Sequence, residues 1–247
     1  MTNELMNLNL IRSEILNKGY YVFKNFASSN DCVLLREAIK KNINKSPEHN
    51  SRINSTTISD YSHKRSHDEI FRTTRYYSFY HNASNWADIE KKILLNGLNI
   101  RNKIELDWVE KDDEYKKVKS SLQDYNIFTK YEFSTGMLPP HRDWPDKLRY
   151  PLLQFNLLLS QEKIDFLAGE FIFEDYNNID IKIHKDLNME IGDALLFDKY
   201  LLHSVDTTEK GDTDVGRWSV LIGARAYKIS YLEEKKILFK EKIKNFL

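Results

Sequence analysis

Apolar residues at Leu8, Ile11 and Ile15 fall three and four apart ahead of Lys18-Gly19 and predict a short helix that stops at the glycine. Tyr20-Tyr21-Val22-Phe23 follows as a strand. Ser28-Ser29-Asn30-Asp31 offers N-cap residues for a second helix, on which Leu35, Ile39 and Ile43 share one face and predict packing on a sheet. From Lys45 to about Arg72 the chain turns polar and irregular, rich in Ser, Asn, Thr and His, the pattern of a lid, a binding loop or a disordered segment. Arg75–Tyr80 reads as a strand. Trp86, Ile89, Ile93 and Gly97, with Leu94 and Leu98 beside them, mark one more amphipathic helix.

The second half changes period. Runs of β type appear at Ile127–Phe133, Leu152–Leu159, Glu170–Glu174, Ile179–His184, Ala194–Phe197 and Trp218–Ala224, divided by Gly, Pro and Asp/Asn breaks. That succession predicts a sandwich or jelly roll rather than alternating β and α units. Within Leu152–Leu159, the residues Leu153, Phe155, Leu157 and Leu159 form an apolar face for the helices, which turns Gln154 and Asn156 the other way, into a cavity. There each amide meets either a bound molecule or a structural network. Lys-rich Tyr231–Leu247 reads as an amphipathic surface helix, its solvated face commoner than a contact with an anionic partner.

At 247 residues the chain is long enough for one full core, and neither a repeat nor a linker divides it. Its 37 basic and 37 acidic residues cancel, which argues against a nucleic-acid or membrane-surface partner. Cys32 is the only cysteine, so no internal disulfide or thiolate cluster forms and a reducing compartment fits. The start Met1-Thr2-Asn3-Glu4-Leu5 has no basic, apolar leader, and no apolar run reaches the roughly 20 residues of a membrane span. A cytoplasmic protein is expected.

Candidate chemistry gathers in Pro140-His141-Arg142-Asp143. On a strand His141 and Asp143 point to one side and Arg142 to the other, and two such ligands could share a cation. Alone, His-x-Asp is common by chance. Its context adds weight: Met189–Phe197 is a Gly-Asp turn leading into a buried strand, His203 follows six residues later, and Arg217 and Ser219 share a face of another strand. An arginine there can pair with a carboxylate in bidentate fashion while the neighbouring hydroxyl adds a bond.

In this order the residues resemble the iron(II)- and 2-oxoglutarate-dependent dioxygenases, in their prolyl-hydroxylase-like or phytanoyl-CoA-dioxygenase-like branch. Tyr131–His141 is similar to that family's strand and turn before the first ligand, and Gly19–Phe26 to its N-terminal strand. Ala168-Gly169-Glu170-Phe171-Ile172-Phe173 is similar to its Gly-Gly-x-x-x-Phe strand, with alanine for the first glycine. The β-rich half is well covered, residues 45–120 are not.

The resemblance implies an α+β, mainly β fold: a double-stranded β-helix (jelly roll, cupin-like) core over about 125–226 with N-terminal packing helices. A helical and loop insertion at about 45–120 and a C-terminal helix at 231–247 complete a single domain, 1–247. It also implies that His141, Asp143 and His203 bind Fe(II), and that Arg217 and Ser219 hold the distal carboxylate of 2-oxoglutarate. Tyr131 either hydrogen-bonds that cosubstrate or packs, and Gln154 is a further cosubstrate candidate. The implied reaction consumes O2, with ascorbate as a reductant, releases succinate and CO2, and hydroxylates an unactivated C–H bond. With Asp143 present, no ligand position is freed for a halide.

Arg75, Tyr76, Arg142, Trp144, Arg149 and Asn156 are the substrate candidates, cations beside aromatics suited to a small polar metabolite with a carboxylate or phosphate. An amino acid or natural-product intermediate is favoured. The alternatives are a peptidyl side chain and a non-catalytic cupin-like metal binder; a nucleic-acid demethylase lacks its arginine spacing here. His63 and His67 have helical metal spacing, but Lys64 and Arg65 between them favour a solvated loop. His184 is expected to be structural or exposed.

Overall fold

The computed structural model describes residues 7–45, 63–68, 73–144 and 147–227. Helix α1 (Leu8–Lys18) is capped by Asn7, whose side chain accepts from the Leu10 backbone N–H, and ends at Gly19 in the left-handed region. Strand β1 (Tyr20–Phe23) and helix α2 (Ser29–Lys45) follow, then β2 (His63–Asp68) and β3 (Thr73–Phe79). A short α3 (Asp88–Glu90) runs through a π turn into α4 (Asn96–Lys111), and α5 (Asp113–Ser120) leads into the β-rich half. Its strands are β4 (Leu122–Tyr131), β5 (Leu138–His141), β6 (Leu153–Leu158), β7 (Phe171–Glu174), β8 (Asp180–Lys182), β9 (Ala194–Asp198), β10 (His203–Val205) and β11 (Arg217–Tyr227).

Seven strands form one antiparallel sheet in the order β1-β9-β6-β11-β4-β3-β2, and four form another, β5-β10-β7-β8. This is the expected double-stranded β-helix with helices packed against the larger sheet. Strand parity divides the core in two. Leu153, Phe155, Leu157, Leu196, Trp218, Val220 and Ile222 pack with Ile11, Ile15, Leu35, Ile104 and Trp108 of the helices. Their alternates Leu158, Leu195 and Phe197 join Tyr131, Phe171 and Phe173 between the sheets. Strands buried on both faces read as near-continuous apolar runs, which is why the polar pair Gln154 and Asn156 stands out in β6.

Part of the expected 45–72 loop is sheet. The β2 strand pairs with β3 from His63↔Ser78 to Asp68↔Thr73, so His63 and His67 lie on a strand and not in a loop or helix. An edge strand needs its backbone partner but no apolar alternation, and His63–Asp68 has none. The remainder of that stretch, 46–62 and 69–72, lies outside the described residues, as does the expected C-terminal helix. Among the described residues no helix is long and apolar enough to cross a membrane.

A buried ion network joins helix to sheet. Glu105 of α4 accepts both terminal N–H groups of Arg225, one at 2.7 Å, and the backbone N–H of Leu153 at 3.0 Å, with Lys119 Nζ at 2.8 Å. Arg101 of α4 bonds Asp124 at 2.7 Å and donates to the Gly223 carbonyl. Gly223 has φ +68, and its missing Cβ leaves the room that the Arg101 guanidinium fills.

Burial pushes the Glu105 carboxyl up, yet Arg225, Arg101 and Lys119 outweigh it and hold it well below the usual carboxylate range. Breaking such a pair by removing one partner leaves a buried charge uncompensated. Glu105→Gln is therefore expected to lower unfolding free energy by about 3–5 kcal/mol. Because the folded pKa lies below the unfolded value of about 4.3, the Glu105 contribution is complete above that pH and is lost as pH falls toward the folded value. Urea unfolding of both proteins across the acid range checks this: a variant as stable as the parent at neutral pH, or equally acid-sensitive, would count against the network.

Candidate metal centre

His141 ends β5, His203 begins β10, and the two strands pair with these residues opposite each other. The rings lie 4.3 Å apart, centre to centre. Each Nδ1 sits 2.9 Å from the carbonyl oxygen two residues earlier, Pro139 for His141 and Leu201 for His203. A carbonyl only accepts, so in a neutral ring Nδ1 carries the proton and Nε2 keeps a lone pair. Both Nε2 atoms face Asp143, at 3.5 Å from Oδ1 for His141 and 3.6 Å from Oδ2 for His203. Their ligand-type atoms all fall within 4.8 Å of one another, the compactness a single cation needs.

The protonation states suit a cation. Asp143 is only partly exposed, and its desolvation alone would raise its pKa, but His141, His203, Lys199 and a bond from Gln154 keep it ionised far below the usual range. Burial pushes His203 down despite the pull of Asp143, while at His141 the same burial is outweighed by Asp143 and the pKa rises. Gln154 Nε2 donates to Asp143 Oδ2 at 2.5 Å. Gln154, a cosubstrate candidate from its place on β6, therefore meets the Asp143 carboxylate through its Nε2, and β6 parity is what aims it there.

Beyond the triad the cavity reaches Arg217, Ser219 and Tyr131. Arg217 is 1% exposed, and none of its three guanidinium nitrogens has a hydrogen-bond partner among the described residues. It lies 4.7 Å over the Tyr131 ring, and burial lowers its pKa. Gly169 makes room for it: with φ +118, a Cβ there would stand 2.9 Å from Arg217 Cδ and 2.8 Å from Thr208 Oγ1. Of the family-like Gly-Gly pair, the glycine that the backbone and this arginine require is the one retained; Ala168 has no positive φ.

Of the substrate candidates, Arg75 and Asn156 line the cavity, and the Asn156 Oδ1 is buried without a partner among the described residues. Four others do not. Tyr76 follows Arg75 on β3 and faces the opposite side, buried with Phe128 in the helix-side core. Trp144 is buried in that same core. Arg142 is exposed, donates to the Tyr200 carbonyl and lies 4.6 Å over its ring; Arg149 is exposed over Tyr150 at 5.5 Å. Strand parity turns Tyr76 away, and stacking on Tyr200 and Tyr150 holds Arg142 and Arg149.

Thr129 and Ile127, with Leu138, Phe171, Phe197 and Leu221, also line the cavity without having been singled out. The β4 pair was readable, since Ile127 and Thr129 alternate onto the face of Tyr131. His184 is buried, its backbone N–H and Nδ1 both meeting Glu170 Oε1, at 2.9 and 3.0 Å, and with Glu162 the two make a second group of ligand-type side chains.

No protein-family model matches the chain, and no curated protein matches it by sequence. Solved structures do match it in fold. A prolyl-4-hydroxylase from Pseudomonas putida superposes with a TM-score of 0.58 at 13% identity, covering 90% of this chain and 100% of the other. A non-heme, alpha-ketoglutarate-dependent carbocyclase, SnoK, from nogalamycin biosynthesis gives 0.55 at 11% identity, covering 92% and 88%. A prolyl hydroxylase from Trichoplax adhaerens, in complex with a hypoxia-inducible-factor peptide fragment, gives 0.54 at 12% identity, covering 87% of each. At such identities the likeness is one of architecture, and this chain has the double-stranded β-helix architecture found in those enzymes.

Proposed function

We propose that this protein is an Fe(II)- and 2-oxoglutarate-dependent oxygenase that hydroxylates an unactivated C–H bond of a small polar metabolite, an amino acid or natural-product intermediate, with release of succinate and CO2. The observation that carries the reading is Arg217. A fully buried guanidinium that has the Tyr131 ring beneath it but no carboxylate hydrogen-bonded to it among the described residues is costly, and the chain tolerates it beside a His-Asp-His cluster in one cavity. A carboxylate ligand offsets that cost. A metal binder without a dicarboxylate cosubstrate has no use for it.

In this reading His141 Nε2, Asp143 and His203 Nε2 hold the metal on one side, and Gln154 keeps the Asp143 carboxylate turned toward it. Arg217, Ser219 and Tyr131 hold the distal carboxylate of 2-oxoglutarate. When bound, the iron and cosubstrate supply the oxygen-activating chemistry. The chain itself binds, orients and keeps water out: Phe171 and Phe197 pack on the His203 ring, and Leu138, Ile127 and Leu221 make the nearby wall apolar. The likeness to a carbocyclase of nogalamycin biosynthesis supports a natural-product substrate.

Incubation with iron(II), 2-oxoglutarate, ascorbate and oxygen should yield succinate even without substrate, at the slow uncoupled rate; no succinate and no metal-dependent cosubstrate binding would sink the assignment. His141→Ala and Asp143→Ala should abolish that binding. In Gln154→Leu, Mn(II) affinity by titration calorimetry is expected to fall roughly 10- to 100-fold, the usual cost of losing an orienting partner.

Arg217 makes a two-sided prediction. Arg217→Met should weaken 2-oxoglutarate by roughly two orders of magnitude. The ligand-free protein should become no less stable, and up to about 1–4 kcal/mol more so, since an unpaired buried ion gives way to an apolar chain of similar length. Denaturant curves with and without ligand measure both; a ligand-free variant several kcal/mol weaker than the parent would show that Arg217 is structural.

A further inference from the structure

We propose that Glu162, Glu170 and His184 form a second divalent-metal site, for zinc(II), apart from the cavity that holds His141, Asp143 and His203. None of the three lines that cavity, and the site stands whether or not the protein is an oxygenase.

The three side chains come from separate stretches of the chain. Glu162 lies in the loop between β6 and β7, Glu170 immediately before β7, and His184 two residues after β8. Their ligand-type atoms fall within 4.8 Å of one another, the limit that also encloses the first cluster. Backbone contacts hold them there. The Ile183 N–H donates to the Phe171 carbonyl at 3.2 Å, which sets His184 beside Glu170. Glu162 forms a β-bridge with Phe166, and the Phe166 ring meets the His184 ring edge-on at 5.6 Å. Asp165 closes the same loop, accepting the Gln161 N–H and the Thr213 hydroxyl, each at 2.9 Å. The loop therefore has its shape before any ion arrives.

One buried atom calls for a ligand. The His184 side chain is 4% exposed, and its Nδ1 lies 3.0 Å from Glu170 Oε1, which also accepts the His184 backbone N–H. Burial would raise the Glu170 pKa, but the bonds from His184 outweigh it and the Arg217 charge adds to them, so this carboxylate is ionised. An ionised carboxylate only accepts, so Nδ1 carries the ring proton and Nε2 of a neutral ring keeps its lone pair. That Nε2 is buried without a hydrogen-bond partner among the described residues, an arrangement with a cost unless something meets it. A carboxylate on one ring nitrogen and a metal on the other is the pairing that fixes the tautomer of a ligating imidazole and raises its basicity. Glu170 is then the orienting partner, while His184 Nε2 and Glu162 are the ligands, with water completing the shell.

Charge and donor type select the ion. Glu162, Glu170 and a neutral His184 carry two negative charges, and even with the Arg217 charge that reaches Glu170 the group is net negative. An imidazole nitrogen favours zinc over calcium and magnesium, which prefer shells of oxygen. Zinc also stands above manganese and iron(II) in the general order of affinity.

Zinc enters a cluster such as His141, Asp143 and His203 as well, so the test uses the full chain carrying His141→Ala and Asp143→Ala. Calorimetric titration of that background with zinc(II) should give one ion per chain, and its thermal unfolding midpoint should rise with zinc concentration. Adding Glu162→Gln, at a partly exposed position, should abolish both effects and leave the zinc-free midpoint unchanged. His184→Gln should abolish both as well, and Glu170→Gln should weaken zinc roughly tenfold or more, the usual cost of losing an orienting partner. In the parent chain Glu162→Gln should lower the number of bound zinc ions by one, the same reading with the first cluster left whole. No zinc bound by the background protein, zinc binding that survives either Glu162→Gln or His184→Gln, or calcium bound more tightly than zinc would each overturn the proposal.

Discussion

The buried carboxylate of Glu105 is the constraint on which the site depends. It sits on α4 and fixes two strands at once, β11 through Arg225 and β6 through the backbone N–H of Leu153. Those two strands carry the cavity residues Arg217, Ser219 and Asn156, and Gln154 behind Asp143. Register along a strand is quantised in steps of one residue, and one step moves every side chain to the other face. A fixed carboxylate that must meet two strands therefore sets which residues enter the cavity. Desolvation makes such a carboxylate a poor source of net stability, while its geometric demands make it a good source of specificity.

The β11 strand shows how one segment serves both purposes. Its first part presents Arg217, Ser219 and Leu221 to the cavity and Trp218, Val220 and Ile222 to the helices. Strict alternation would then turn Arg225 toward the cavity as well. Between Leu221↔Ile127 and Ala224↔Tyr125 the strand advances three residues while β4 advances two, so one extra residue bulges there. Gly223 takes the positive φ in that bulge, and Asn126 Oδ1 accepts its N–H. Parity flips, and Arg225 meets Glu105. Two buried arginines eight positions apart thus have opposite fates: one is saturated by carboxylates, the other faces a cavity with no carboxylate hydrogen-bonded to it among the described residues.

Much of this was legible because parity is written in residue type. Leu153, Phe155 and Leu157 against Gln154 and Asn156 separated the two faces of β6, and His141, Asp143, His203, Arg217 and Ser219 converge on one cavity, as the family resemblance implied, although β5 ends at His141 and Asp143 lies just beyond it. Tyr76 is the alternate of Arg75 on β3 and so turns to the helix-side core, whereas Trp144 lies beyond the end of β5 at His141, where no strand alternation tells which way a side chain turns. The β2 strand and the Glu105 network were hidden for another reason. A polar edge strand carries no apolar period, and Arg101, Glu105 and Lys119 on amphipathic helices look like a solvated face until a partner strand is placed over them.

The two imidazoles of the triad are not equivalent, and the difference follows from where their strands lie. His203 begins an inner strand, between β5 and β7, with its side chain 4% exposed between Phe171 and Phe197, an environment that disfavours the charged ring. His141 ends the edge strand β5, is 33% exposed, and gains more from Asp143 than burial takes away. A proton reaching this cluster therefore settles on His141, while His203 keeps its lone pair. Of the two imidazoles, the more readily protonated one is thus the more exposed, at the end of an edge strand, and the enclosed one is the one whose charged form burial disfavours.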